Sequence, residues 1–274
     1  MSVHVQNARM TTTRIRQKAD NNEPITVLTS YDFTLARLVD EAGTDIILVG
    51  DSASNVVCGN AYTLPITLDE MIFLTKGVVR AAEHALVVAD MPFGSYQVSE
   101  EEAVKNAIRM VKESGCDAVK IEGGEEVLPA IRHIIAAGIP VVGHLGLTPQ
   151  SVNQFGGYGL RAKEKAEADK LRHDALLLAQ TGCFAVTLEK IPATLAAQVT
   201  KDLAPYHCAT IGIGAGNQTS GQVLVLHDML GLNQGFQPKF LRHFAELGEQ
   251  VKSAVQGYIS AVNARTFPNE KESY

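Results

Sequence analysis

The chain has 274 residues, 46% of them hydrophobic and 20% charged, with a formal net charge of -6. That balance describes a globular protein with a large core rather than a disordered chain, and the length suits a single (β/α)8 barrel, whose usual size is about 250 residues. No basic tract stands out, which argues against nucleic acid as a partner, and no stretch approaches the roughly 20 apolar residues of a membrane helix.

Residues 1–24 are polar, with Arg14, Arg16 and Lys18, and read as a surface arm or short helix. The first residues, Met1 to Asn7, lack the apolar core of a signal peptide. The cysteines, Cys58, Cys116, Cys183 and Cys208, form no CxxC pair, so a reducing cytoplasm is the expected compartment. Ile25 to Thr29 predicts a first strand, and Phe33 to Ala42 a helix closed by Gly43. A second strand runs into Asp51, and Ser52 to Pro65 reads as a long loop. Leu68 to His84 predicts a helix, and a third strand ends at Asp90. Ser99 with Glu100, Glu101 and Glu102 has the form of a helix N-cap and acidic first turn, in a helix ending near Gly115.

A fourth strand reaches Glu122, a helix spans Val127 to Ala137, and a fifth strand ends at His144. Gly146 to Gly159 is a Gly-, Pro- and Asn-containing loop, followed by a charged amphipathic helix from Lys163 to Thr181. The sixth strand ends at Glu189, a helix covers Thr194 to Leu203, and Ala209 to Ile213 and Gln222 to Leu226 are strands seven and eight. A last helix is expected over Phe240 to Ala264, before a polar tail. A β-α alternation repeated about eight times, without a break in composition, predicts one α/β domain over residues 1–274, a (β/α)8 TIM barrel. An open doubly wound sheet is the alternative.

Five of the apolar runs end on Asp51, Asp90, Glu122, His144 and Glu189. Continuous apolar runs mark strands buried on both faces, and α/β barrels draw their reacting groups from the C-terminal ends of such strands. Asp51, Asp90 and Glu122 together would make a hard oxygen site suited to Mg²⁺, although each alone reads first as a cap of the following helix or loop. Lys120 lies two residues before Glu122 and so on the same strand face, aimed at an anion or engaged in an ion pair. Glu189 is a candidate general base or a capping carboxylate. His144 is a proton shuttle, a hydrogen-bond donor, a metal ligand or a structural residue, with no HxH or HExxH spacing to make it a ligand. The run Gly212 to Asn217 lacks the third glycine of GxGxxG and reads first as a close turn.

Eight stretches in order carry a resemblance: Leu28-Thr29-Ser30-Tyr31-Asp32, Leu48-Val49-Gly50-Asp51-Ser52, Ala89-Asp90-Met91-Pro92-Phe93, Val119 to Gly124, Gly143 to Gln150, Phe155-Gly156-Gly157-Tyr158, Ile211 to Asn217, and His227 to Gly231. From about Arg14 onward the chain resembles the ketopantoate hydroxymethyltransferase family. The resemblance implies a barrel of the phosphoenolpyruvate/pyruvate type, assembled as a homodecamer. It implies Mg²⁺ on Asp51, Asp90 and Glu122, a 2-oxo acid against Asp51, Ser52, Asp90 and Lys120, with His144 nearby, and Glu189 as proton acceptor. The implied reaction moves a one-carbon unit from 5,10-methylenetetrahydrofolate to 3-methyl-2-oxobutanoate, giving 2-dehydropantoate. Ala53-Ser54-Asn55, Gly159 to Ala162, and Ser220 depart from the family's common residues. The competing readings are a Mg²⁺-dependent carbon–carbon lyase of the same barrel class and a non-catalytic oxo-acid-binding barrel. The lyase is disfavoured because no Lys-Lys-Cys-Gly-His-like loop is present.

Overall fold

The structure is a computed structural model that describes residues 9–274. Helix α1 (Thr12–Asp20) leads into β1 (Ile25–Thr29), α2 (Phe33–Glu41), β2 (Ile46–Val49), a short α3 (Ala53–Val56), α4 (Leu68–Ala81), β3 (Leu86–Asp90) and α5 (Glu100–Ser114). Then come β4 (Ala118–Glu122), α6 (Leu128–Ala136), β5 (Val141–Gly146), a short α7 (Val152–Phe155), α8 (Lys165–Thr181), β6 (Ala185–Glu189), α9 (Ala193–Leu203), β7 (Ala209–Ile213) and β8 (Gly221–Leu224). The chain up to Val225 forms one compact unit. A second unit, Leu226–Tyr274, holds α10 (Leu226–Met229) and α11 (Leu247–Asn263).

Local signals start and stop these helices where the sequence places them. Asp32 accepts from the backbone of Leu35 to cap α2, and Ser99 accepts from Glu102 to cap α5. Thr67 and Glu70 form a reciprocal capping box on α4. The eight strands are parallel and close in chain order, with β1 paired to both β2 and β8. β2, β3 and β4 are buried along their whole length, as expected of strands sandwiched between a barrel interior and a helical ring.

Side chains two apart on each strand share a face. One such set fills the interior: Ile25 and Val27, Ile46 and Leu48, Leu86 and Val88, Ala118, Val142, Ala185, Ala209 and Ile211, and Val223. They leave a void of about 20 Å³ below Lys120, so the barrel is a packed core rather than a channel. Ile15 of α1 is fully buried in the same cluster. Arg16 donates to the carbonyl of Gly182 and Lys18 pairs with Asp45, both just before a strand begins. The N-terminal segment is therefore not a surface arm beyond residue 11 but a helix that plugs the floor of the barrel. Residues 1–8 of the expected arm lie outside the described residues.

Other boundaries differ from expectation for identifiable reasons. The expected loop after Asp51 opens with α3, and the 146–159 loop contains α7. The last helix begins at Leu247 rather than Phe240, because the N–H groups of Phe244 and Leu247 donate to Met229 and Leu230 instead of to carbonyls four residues back. Gly212 to Asn217 does form a close turn: a Cβ on Gly216 would collide with the Ala193 methyl. Among the described residues, no helix is long and apolar enough to cross a membrane.

Candidate active site

The alternation that packs the interior also aims the polar residues. Val88 is core, so Asp90 faces inward; Ala118 is core, so Lys120 and Glu122 do; Val142 is core, so His144 does; Ala185 is core, so Thr187 and Glu189 do. Strand register then sets Asp90 beside Lys120 and Glu122 beside His144, with Glu189 opposite Gly146 one step higher. Asp51 lies beyond the end of β2 and breaks the alternation. It is brought in by its turn, where its backbone N–H donates to Asp90 Oδ2 at 3.0 Å.

Asp51, Asp90, Lys120, Glu122 and His144 are all at most 5% exposed. Lys120 Nζ is 3.2 Å from Asp90 Oδ1 and 3.7 Å from Glu122 Oε1. Burial disfavours its charge, but Asp90, Glu122 and Asp51 outweigh burial and hold it protonated well above the usual lysine range. His144 Nε2 is 3.2 Å from Glu189 Oε2, and Nδ1 is 3.1 Å from Glu122 Oε1 and 2.9 Å from Lys120 Nζ. Burial and Lys120 work against the imidazolium, yet Glu122 and Glu189 prevail and push His144 up to about 9. His144 Nδ1 shares its hydrogen bond with Lys120 Nζ, and the Glu122 carboxylate lies beside both as the opposing charge.

The carboxylates divide. Burial raises Glu122, but His144, Lys120 and the Gln150 N–H more than compensate, so its pKa falls below the ordinary value. Burial, Glu122 and Asp90 drive Asp51 well above the carboxylate range, and burial above all raises Asp90. Asp90 Oδ1 and Glu122 Oε1 are buried without a hydrogen-bond partner. Hard oxygen donors, excess negative charge and two unmatched oxygens are the features a divalent cation would satisfy. The three carboxylates nevertheless do not form a ready-made cage: among the described residues, no three His, Cys, Asp or Glu side chains are disposed to hold a metal ion between them. Mg²⁺ commonly takes one or two carboxylates and completes its shell with water and substrate oxygens.

Glu189 is fixed by its neighbours. Gly146, with φ of 93°, lets β5 pass so close that a Cβ there would collide with the Glu189 carbonyl oxygen. Lys190 follows in the left-handed region at φ 50°. Its N–H donates to Ile213, its carbonyl accepts from Arg161, and its ammonium donates to the Tyr158 carbonyl. Ser52 shares a 2.8 Å hydrogen bond with the buried Tyr31 hydroxyl. The three buried cysteines offer no nucleophile here: burial pushes Cys116 up to about 11, Cys208 to about 12 and Cys183 higher still. Sequence reasoning alone passes over Tyr31, Tyr96 and Gln150. Gln150 closes the stretch Gly143 to Gln150, six residues past His144, and nothing in its spacing assigns it a chemical role.

A sequence profile described as ketopantoate hydroxymethyltransferase matches residues 9–270. The chain belongs to the ketopantoate hydroxymethyltransferase family. Relatives named 3-methyl-2-oxobutanoate hydroxymethyltransferase are 56% identical in Parabacteroides distasonis, over 98% of this chain and 97% of that one. The relative in Bacteroides thetaiotaomicron is 56% identical over 97% and 96%, and that in Salinibacter ruber 53% over 97% and 99%. Among solved structures, a phosphoenolpyruvate phosphomutase from Streptomyces platensis aligns over 93% of this chain and 88% of its own, with a TM-score of 0.60 at 15% identity. A 2,3-dimethylmalate lyase of the phosphoenolpyruvate mutase/isocitrate lyase superfamily aligns over 96% and 91%, with a TM-score of 0.57 at 17% identity. At such identities the structural likeness speaks for the barrel fold. The relatives identify this ketopantoate hydroxymethyltransferase family member as an enzyme.

Proposed function

We propose that this protein transfers a hydroxymethyl group from 5,10-methylenetetrahydrofolate to 3-methyl-2-oxobutanoate, giving 2-dehydropantoate on the route to pantothenate. The observation that carries the reading is the inward ring of Asp51, Asp90, Lys120 and Glu122, joined through His144 to Glu189, at the C-terminal end of the barrel of a family member. Asp51, Asp90 and Glu122 are the groups that would hold Mg²⁺, which when bound supplies Lewis-acid polarisation of the 2-oxo group. Lys120 and Ser52 hold the substrate carboxylate and so present one face of C3. Glu189 takes the C3 proton, and His144, whose Nε2 lies 3.2 Å from its carboxylate, keeps it oriented. Water releases the one-carbon unit from the two folate nitrogens at the formaldehyde level, leaving tetrahydrofolate, and the C3 carbanion attacks that carbon, whose oxygen takes up a proton to become the new hydroxyl. The alternatives, a lyase of the same barrel class or a non-catalytic barrel, have no such support from the relatives.

We also propose self-association, with a decamer as the arrangement to test, in the cytoplasm. No residue of α11 is buried, and Val251, Val255, Tyr258, Ile259 and Val262 make one exposed apolar stripe on it. All four cysteines are free. The functional test is turnover of 3-methyl-2-oxobutanoate with 5,10-methylenetetrahydrofolate, with Mg²⁺ or with chelator, followed by mass spectrometry. Metal-dependent 2-dehydropantoate is the expected result; none from folded, metal-bound protein would overturn the assignment. Light scattering on the same preparation reads the oligomer.

A further inference from the structure

The side chain of Gln150 is buried and uses every hydrogen-bonding position it has. Its Nε2 donates to Asp51 Oδ2 at 2.9 Å and to the Met91 carbonyl at 3.0 Å. Its Oε1 accepts from the Tyr96 hydroxyl at 2.7 Å and from Gln97 Nε2 at 3.3 Å. Its backbone N–H donates to Glu122 Oε2 at 3.0 Å. An amide holding four partners cannot flip or change rotamer without breaking most of them. Tyr96 adds a second tie: its hydroxyl also lies 3.1 Å from the carbonyl and 3.3 Å from the N–H of Glu122.

One residue thus grips two carboxylates that come from different strands, and it grips one oxygen of each. Asp51 Oδ2 and Glu122 Oε2 are taken, which turns Asp51 Oδ1 and Glu122 Oε1 toward whatever else the site holds. Glu122 Oε1, like Asp90 Oδ1, is a buried oxygen without a hydrogen-bond partner. This arrangement answers how carboxylates that do not form a cage by themselves are kept ready to become one. Partners that orient ligands in this way commonly alter metal affinity by about 10- to 100-fold.

We propose that Gln150, with its amide locked by Tyr96, is a positioning residue that presents Asp51 and Glu122 to a divalent cation, and so sets metal and 2-oxo acid affinity rather than the proton transfer at Glu189. The inference rests on the reading of the site as a Mg²⁺ site.

The test is titration of the metal-free full chain with Mn²⁺, read by electron paramagnetic resonance of free ion, together with steady-state kinetics. Gln150→Met keeps length and removes all side-chain hydrogen bonds. It is expected to weaken Mn²⁺ binding about 10- to 100-fold and to raise the KM for the oxo acid, while kcat at saturating metal stays within about threefold. Tyr96→Phe, which removes one oxygen, is expected to weaken Mn²⁺ binding in the same direction by a smaller factor, and it serves if the Met variant does not fold. A folded Gln150→Met protein with wild-type Mn²⁺ affinity would overturn the proposal, as would unchanged affinity in Tyr96→Phe, or a loss confined to kcat. Wild-type protein that binds no Mn²⁺ removes the metal reading itself and this inference with it. Wild-type binding together with unaltered variants removes the inference alone.

Discussion

Asp40 and Asp51 are almost equally buried, 3% and 4% exposed, yet their carboxyl groups are displaced in opposite directions. Asp40 belongs to the floor end of the barrel. Burial acts to raise it, but the N–H groups of Ala85, Glu83 and His84 and the His84 ring surround it, and its pKa falls below the ordinary value. Asp51, at the mouth, meets two further carboxylates with one hydrogen bond from Gln150, and it rises. At the floor each charge is matched by donors of the fold itself, as Asp45 is by Lys18 and the Thr26 N–H. At the mouth the fold supplies an excess of acceptors. A protein selected for stability alone would not concentrate carboxylates there, so the imbalance marks where a ligand is expected.

The comparison is most sharply tested at Glu189. Glu189→Gln is expected to slow C3 proton exchange of the oxo acid in D₂O by about 10²- to 10⁴-fold, with metal-dependent oxo-acid binding retained. Rapid exchange in the variant would assign the base elsewhere. Lys120→Met removes the only lysine of the acidic cluster and should cost the metal-free protein about 3–5 kcal/mol in denaturant unfolding, partly restored by Mg²⁺; a variant indifferent to Mg²⁺ would show that the carboxylates hold no cation. Ile15→Ala probes the floor, with an expected loss of about 2–5 kcal/mol and unchanged kinetic constants in the folded fraction. A changed KM would mean that the two ends are not independent.

Asp40→Asn is expected to have the smallest effect, about 1–3 kcal/mol at neutral pH, and a distinctive pH dependence. A carboxylate with a depressed folded pKa stabilises above its unfolded value, about 3.9, and that contribution disappears as pH falls through the folded value. Wild-type protein should therefore lose stability below about pH 4 more steeply than Asp40→Asn. Parallel acid limbs in denaturant titrations from pH 3 to 7 would mean that Asp40 is not depressed in the folded state.

Most of the barrel is legible in the sequence because two independent periodicities agree. Runs such as Leu86 to Asp90 read as doubly buried strands, and the cap at Ser99 marks where a helix begins. The same period of two puts Lys120 and Glu122 on one strand face. Three things do not follow from local pattern. Ile15 stands among polar residues, and only tertiary packing reveals that one side of α1 is core. Asp51 is out of phase with Ile46 and Leu48, so its place in the site depends on a turn and on Asp90. Gln150 is polar, uncharged and without a spacing rule. Its importance lies in partners 28, 54, 59 and 99 residues away along the chain, and no sequence window spans such distances.

The pairing of β1 with β8 has a consequence for how the molecule is made. Ile25 lies opposite Gly221, and Ile15 belongs to the same core cluster as Phe184, Ile211 and Val223. During synthesis the first strand leaves the ribosome with one edge that finds no partner until nearly the whole barrel has emerged, and the floor helix waits for residues still inside the tunnel. Such long-range closure slows folding and leaves a strand edge open to other chains meanwhile. Nascent chains stopped short of Gly221 are therefore expected to be the aggregation-prone species, and release of β8 the step that commits the barrel.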